Sequence, residues 1–430
     1  MRETVVTTIG SLHRLQTLRR RLRQPLATIE AIQAARLRAL VQHAFTNVPY
    51  YRDLMRQAGV RPDDIRNRSD LQHVPVTERD TLRQLPDEMT IAANLDPRRS
   101  EARRTSGSED GAPWHVLVDD EEALERSLVT IRSDIENGYR LWQRQGFVRR
   151  PPFRRDTWFK RLGILRSLYV SLFDDVGSQV ERLREFQPVR LDGQPSALMR
   201  IVAWGRDHGV TDLRPRLIST MGERLLPEQR DGLSDYFGGV VYDRYGATEG
   251  GILGWECERH EGYHLNVDQV IVECVRGGSP VAPGEPGAVA LTNLAAYVRP
   301  LIRVTLGDVA AMEERPCQCG RSLPRLARVL GRRDEFLVAS DGRWLAPHEI
   351  ESSLRGVEGL SNYQVIQETP TCVRARVTTA GSPHTLPLVG QCLRALLGPA
   401  VEVITESQDV FPLPPSGKAR RVIAKITPGF

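Results

Sequence analysis

The sequence predicts an α/β protein: a large layered sheet-and-helix domain with a helical N-terminal segment, followed by a small mobile α+β domain. Three observations carry this expectation. From about residue 100, short β-rich runs (WHVLVD, RLIST, VVYDRYG, QVIVECV, AVALTNL) alternate with helical stretches such as EEALERSLVTIRSDI and PSALMRIVAWGRDHG. The first 95 or so residues lack such runs and read mainly as helix. A glycine and a charge cluster at GRRDE, residues 331–335, interrupt the alternation ahead of a hairpin-like strand pair and a helix.

In chain order, AIQAARLRALVQHAFTNV sets Leu37, Leu40, Val41, Ala44 and Phe45 on one helical face. NVPYYRDLMRQAGVRPDDI follows with a proline-marked break, a short amphipathic helix and a glycine stop. At 430 residues the chain exceeds one core, so residues 1–330 and 331–430 are expected to form two domains.

Composition narrows the function classes. Hydrophobic residues at 40% and charged residues at 26%, with no repeat, exclude a disordered or fibrous chain. The longest apolar-looking stretch, RLGILRSLYVSLF, is interrupted by arginine and falls short of the roughly 20 residues that cross a bilayer. No span is expected, and an N-terminus without an apolar leader core points to the cytoplasm. The net charge is +5, with only three lysines (Lys160, Lys418, Lys425) among 59 basic residues. Acidic residues are interspersed nearly everywhere and aromatics make up 6%, which argues against a nucleic-acid surface. Six cysteines in so long a chain do not make a disulfide framework.

Five stretches carry chemistry. TSGSEDGAP, Thr105 to Pro113, has the glycines and hydroxyls of a phosphate-cradling turn, although the same composition suits a plain polar loop. STMGERL and VVYDRYGATEGG each follow a strand, at the strand ends where open α/β sheets place ligands. In the second, Thr248 can donate to phosphate and Glu249 can ligate Mg²⁺, a hard cation that shares its oxygen ligands with phosphates. In RPLIRVTLGDVA a strand-like run is expected to end with Gly307 and Asp308, a carboxylate able to accept from two ribose hydroxyls. PLPPSGKARRV sets Lys418 on a proline- and glycine-defined turn.

In this order, and with GRRDE between the last two, these stretches resemble the AMP-forming adenylating superfamily. The similarity is to the phenylacetate-CoA ligase type, including relatives labelled capsular polysaccharide biosynthesis proteins, and runs from VPYYRDLMRQAGV through CQCGRSLPRLARVLGR to SGKARRVI. The resemblance implies ATP-dependent activation of a carboxylic acid as an acyl-adenylate, with release of pyrophosphate. Acyl transfer to coenzyme A or a carrier thiol would follow, with the small domain rotating between the half-reactions. It implies that Thr105, Ser106, Gly107 and Ser108 line the triphosphate. Gly222, Glu223, Asp243 and Tyr245 would surround the base, Gly246 would also belong to the nucleotide site, Thr248 would meet the phosphate and Glu249 the Mg²⁺. Asp308 and Arg332 would hold the ribose, Asp334 would be the hinge and Lys418 would reach the carboxylate and α-phosphate. A homodimer is compatible with this reading.

Two features depart from the pattern. Glu109 and Asp110 occupy the middle of the phosphate loop, where at 4 Å and an effective dielectric near 20 a carboxylate would repel one phosphate charge by about 4 kcal/mol. The expected resolution is a loop tip turned to solvent; the alternative is a degenerate nucleotide-binding scaffold protein of a biosynthetic cluster. Second, Cys257, Cys317 and Cys319 with either His260 or His264 offer a tetrahedral set of the kind that holds structural Zn²⁺, against the alternative of free buried thiols. The acyl pocket is expected to draw on residues 133–186, with Tyr139, Trp142, Phe147, Trp158 and Tyr169 as candidate walls or simple packing.

Overall fold

A computed structural model describes residues 2–104, 114–151, 163–379, 381–411 and 420–426, with side chains from residue 10 onward. Thr105 to Ser108, Glu109, Asp110, Trp158 and Lys418 lie outside the described residues.

The N-terminal segment is helical, as its periodicity predicts. In the helix Leu26–Asn47, Ile29, Leu37, Leu40, Val41 and Ala44 are buried along one stripe. The helix stops at Val48 because Pro49 disfavours the α conformation in the residue before it, and Val48 is accordingly extended (φ −119°, ψ 108°). No helix among the described residues is long and apolar enough to cross a membrane.

After a hairpin of β1 (Glu101–Arg104) and β2 (His115–Val118), one twelve-stranded sheet organises the large domain. Its parallel part contains β3 (Gln145–Arg149), β4 (Ser167–Ser171), β5 (Arg190–Gly193), β6 (Leu217–Met221) and β7 (Val240–Ala247). Helices Val176–Phe186, Pro195–Asp207 and Pro227–Phe237 join the last four strands. Alternation along these strands sends Val148, Val170, Leu191, Ile218 and Val241 into a shared core with those helices. The opposite face, carrying Phe147, Arg149, Arg190, Asp192 and Arg244, is turned toward the helix Asp120–Glu136, whose Asp134 pairs with Arg190 and Arg244.

Beyond β7 the sheet continues antiparallel through β8 (Gly251–Trp255) and β9 (Tyr263–Leu265). It also takes in β10 (Val270–Arg276), β11 (Ser279–Pro280), β12 (Gly287–Asn293), β13 (Val304–Glu313) and β14 (Arg325–Arg332). The strand order is β11-β10-β12-β13-β14-β9-β8-β7-β6-β5-β3-β4.

A small α+β domain follows. A short hairpin, β15 (Leu337–Val338) with β16 (Trp344–Leu345), leads into the helix Pro347–Leu354. Then β17 (Leu360–Thr369), β18 (Cys372–Thr379), β19 (Glu402–Ser407) and β20 (Val422–Ala424) form a sheet ordered β19-β18-β17-β20. With the helix Thr385–Leu397 this sheet encloses its own core of Val365, Val373, Ala375, Val389 and Leu393. At the junction, Gly331 has φ +134°, and a Cβ there would sit 2.7 Å from Pro347 Cγ, so only glycine fits.

Candidate functional site

The parallel strands β6 and β7 end on the same edge of the sheet, opening a cleft of about 2110 Å³ roofed partly by the small domain. Nine residues expected from sequence line this one cleft: Gly222, Glu223, Asp243, Tyr245, Gly246, Thr248, Glu249, Asp308 and Arg332. At Gly246 a Cβ would lie 2.8 Å from the Gly251 carbonyl oxygen and 3.2 Å from Met221 Sδ, so the turn leading to Thr248 tolerates no side chain there. Asp334 sits outside the lining, 3.3 Å from Arg332 and 2.9 Å from Arg420.

The main chain at Thr248 and Glu249 is held by groups that sequence reasoning missed. Arg126, on the helix Asp120–Glu136, donates to the carbonyls of Thr248 (2.8 Å) and Glu249 (2.9 Å) and is itself anchored on Glu122. Asn293 donates to the same Glu249 carbonyl (2.9 Å) and to Glu122 (2.8 Å). Turn and helix are thereby locked together. The Glu249 carboxyl is buried, and its Oε1 has no hydrogen-bond partner among the described residues. Arg79 lies 3.6 Å from it, an ion pair too long for a hydrogen bond. Burial raises the pKa of Glu249 and Arg79 opposes that shift. A buried acceptor oxygen left open on the wall of this cleft fits a hard divalent cation such as Mg²⁺.

Asp308 and Arg332 face each other as register partners on β13 and β14. Tyr245 donates its phenolic O–H to Asp308 Oδ2 at 2.7 Å. Burial acts against the Arg332 charge, but Asp334 and Asp308 outweigh it and keep the guanidinium protonated. Glu223 accepts from the backbone N–H (3.1 Å) and hydroxyl (2.9 Å) of Ser196, which fixes the loop after β6 against the helix Pro195–Asp207. Asp243 is fully enclosed, accepting from Thr220 (2.6 Å) and Tyr263 (2.7 Å). Burial, and then the neighbouring Glu256, push its carboxyl up to about 7.

Of the aromatic candidates for the acyl pocket, Phe147 and Tyr169 line the cleft, their rings stacked at 4.8 Å. Tyr139 and Trp142 do not. Tyr139 is buried with its hydroxyl on the Gln143 carbonyl, and Trp142 is 66% exposed. Both lie in the turn before β3, whereas only residues on the strands point across the sheet face.

A second cluster lies apart from the cleft. One ligand atom each from Cys257, His264, Cys317 and Cys319 falls within 4.8 Å of the others. Cys257 Sγ and Cys317 Sγ are 3.7 Å apart, and Cys319 Sγ is 3.3 Å from His264 Nε2. A tetrahedron with Zn–S bonds of 2.3 Å has edges of about 3.8 Å, so the donor set fits zinc. Of the two candidate histidines, His264 faces the thiols; His260 turns away to Glu256 (3.3 Å) and Arg230 (3.2 Å). Burial, helped by Arg321 and Arg325, holds His264 at about 4, in the neutral form a metal requires. Burial also acts to raise the Cys319 thiol, yet the backbone and guanidinium of Arg321 prevail and lower it.

No protein-family model matches the chain. Over 358 residues it is 27% identical to the phenylacetate-coenzyme A ligase of Thermus thermophilus, covering 80% of this chain and 79% of that one. Protein CapK of Staphylococcus aureus is 24% identical over 200 residues, 45% of this chain and 43% of CapK. Among solved structures, 2-hydroxyisobutyryl-CoA ligase in its postadenylation state, in complex with R3-HIB-AMP, superposes with a TM-score of 0.76 at 20% identity, over 94% of this chain and 91% of that chain. The chain is thus a relative of the phenylacetate-coenzyme A ligases over most of its length, and it has the fold of an AMP-forming CoA ligase.

Proposed function

We propose that the protein is an AMP-forming acid–thiol ligase. In the first half-reaction an oxygen of the substrate carboxylate attacks the α-phosphorus of ATP, and the bond to the β-phosphate breaks, yielding acyl-adenylate and pyrophosphate. In the second, a thiolate attacks the acyl carbon and AMP departs with the bonding electron pair. The acceptor is coenzyme A or a carrier-protein thiol. The observation that carries this reading is the convergence in one cleft of Thr248, the open Glu249 oxygen, the Tyr245–Asp308 pair and Arg332.

Asp308, oriented by Tyr245, accepts from the ribose hydroxyls, with Arg332 beside it. Gly222, Glu223 and Asp243 border the base. Thr248 donates to phosphate, and Thr105, Ser106, Gly107 and Ser108 close over the triphosphate. Glu249 would hold Mg²⁺, which when bound supplies charge stabilisation for the pyrophosphate leaving group. Lys418 meets the carboxylate and α-phosphate, where two anions are brought together and a fixed cation contributes most. Residues 331–430 move as a unit about Asp334. Cys257, His264, Cys317 and Cys319 would hold a structural zinc, with His264 rather than His260 as the fourth ligand. A cytoplasmic setting and a homodimer complete the reading.

Acid-dependent exchange of labelled pyrophosphate into ATP tests it directly. Exchange with some member of a broad acid panel is expected, followed by thioester formation on adding coenzyme A. Exchange without thioester would assign the acceptor to a carrier protein. ATP binding without exchange for any acid would replace the ligase with a nucleotide-binding scaffold.

A further inference from the structure

The face of the parallel strands turned toward the helix Asp120–Glu136 is unusual for a covered sheet, whose faces are ordinarily apolar. Three guanidiniums meet two carboxylates there. Arg149 donates to Asp192 Oδ1 (2.9 Å), Arg190 to Asp192 Oδ2 (2.8 Å), and Arg244 pairs with the same carboxylate. Asp134 lies 3.1 Å from Arg190 and 3.3 Å from Arg244. All five groups line the cleft, so this polar face looks onto open volume.

Among the described residues these five groups carry one positive charge more than the two carboxylates neutralise. Two groups mark where an added anion would sit. Arg244, with a side chain 1% exposed, keeps a buried Nε with no hydrogen-bond partner among the described residues. Arg149, with a side chain 38% exposed, is the most exposed of the three and lies 4.6 Å over the Phe147 ring. A surplus charge at the edge of a partly desolvated cluster favours an anionic partner, and a guanidinium fork matches carboxylate, sulfonate or phosphate oxygens.

We propose that this end of the cleft recognises a second anionic group on the acid, so that the substrate is a carboxylate with a carboxylate, sulfonate or phosphate at its far end. This rests on the ligase reading for the position of the reacting carboxylate, beside Thr248. Arg244 lies on β7 four residues before Thr248, which follows the end of that strand at Ala247 and a register irregularity at Tyr245 and Gly246. The stacked Phe147 and Tyr169 rings give the spacer an aromatic wall.

The experiment compares matched acids in pyrophosphate exchange: suberate against octanoate, terephthalate against p-toluate, and the sulfo and phosphono counterparts of each diacid. The expected kcat/KM for the better dianion exceeds that of its neutral partner by roughly a hundredfold, because a site built for a polar group rejects the analogue that lacks it. The acid with the highest value identifies the second anion. Arg149→Gln should lower that ratio by roughly tenfold or more, chiefly through KM, and Arg149→Lys should restore part of it. Equal or better use of octanoate and p-toluate would overturn the inference. If no acid supports exchange, calorimetry with suberate and terephthalate separates the two readings. Binding weakened by Arg149→Gln keeps the anion pocket while removing the ligase, and no binding removes both.

Discussion

The phenol of Tyr245 donates to Asp308 across 2.7 Å, joining β7 to β13, strands that are not neighbours in the sheet. One oxygen of Asp308 is thereby fixed, and in the proposed ribose site this would leave the carboxylate oriented toward a pair of hydroxyls. Asp308→Ala should weaken ATP binding by about 2 kcal/mol, roughly thirtyfold, as expected for loss of charged hydrogen bonds. Tyr245→Phe should cost less, since only the orientation is lost. Calorimetry with ATP and its dideoxy analogue checks both; a parent protein that binds the two equally well would take Asp308 out of the ribose site.

Lys418→Ala should suppress adenylation by orders of magnitude, with Lys425→Ala as the control. Lys425 is exposed, and its backbone N–H caps the Gln367 carbonyl at 2.9 Å, a contact that its side chain does not make. Single-turnover formation of the acyl-adenylate is the measurement. Equal rates for the Lys418 variant and the parent protein would discard the proposed role.

The alternation of β-runs and helices was legible because burial on one sheet face leaves apolar residues at fixed spacing. That Gly222, Gly246, Thr248 and Glu249 share a cleft was legible because turns at strand ends need glycine, hydroxyl and carboxylate in short order; Gly307 and Asp308, expected to end a strand, instead lie within β13, which runs on to Glu313 beside β14. Glu122 and Arg126 were not. Four residues apart on a helix, they read as a solvated surface pair, and only the approach of Asn293 and the Thr248 turn buries them. Arg149, Arg190 and Arg244 were equally silent, because they lie on three strands brought into register by parallel pairing over about 95 residues of chain. His260 and His264 could not be told apart by spacing. The left-handed backbone at His260 (φ 52°) helps turn its ring away from the thiols.

Asp243 makes stability depend on pH. The folded chain keeps this carboxyl protonated up to about 7, whereas an unfolded aspartate releases its proton near 3.8. Between those values the folded state binds more protons, so raising the pH through the window destabilises it, and the loss is complete above the folded pKa. Asp243→Asn, which keeps the shape, should remove that slope and gain up to about 4 kcal/mol relative to the parent by pH 8. Urea unfolding across the range reads it, and parallel profiles for the two proteins would show that Asp243 ionises normally.

The thiol cluster gives the last test. Protein purified without added metal should carry one zinc per chain by elemental analysis. His264→Ala and Cys319→Ser should lose it and His260→Ala should retain it, because only the first two face the cluster. Since the ligands come from the β8–β9 region and from the loop before β14, the metal would staple two segments some 55 residues apart, and its loss should lower Tm by roughly 5 °C or more. Nucleotide affinity measured below that transition should change far less than Tm, as the cluster does not line the cleft. Metal-free protein with an unaltered Tm, or zinc lost on His260→Ala and kept on His264→Ala, would leave the cysteines as buried thiols or reassign the fourth ligand.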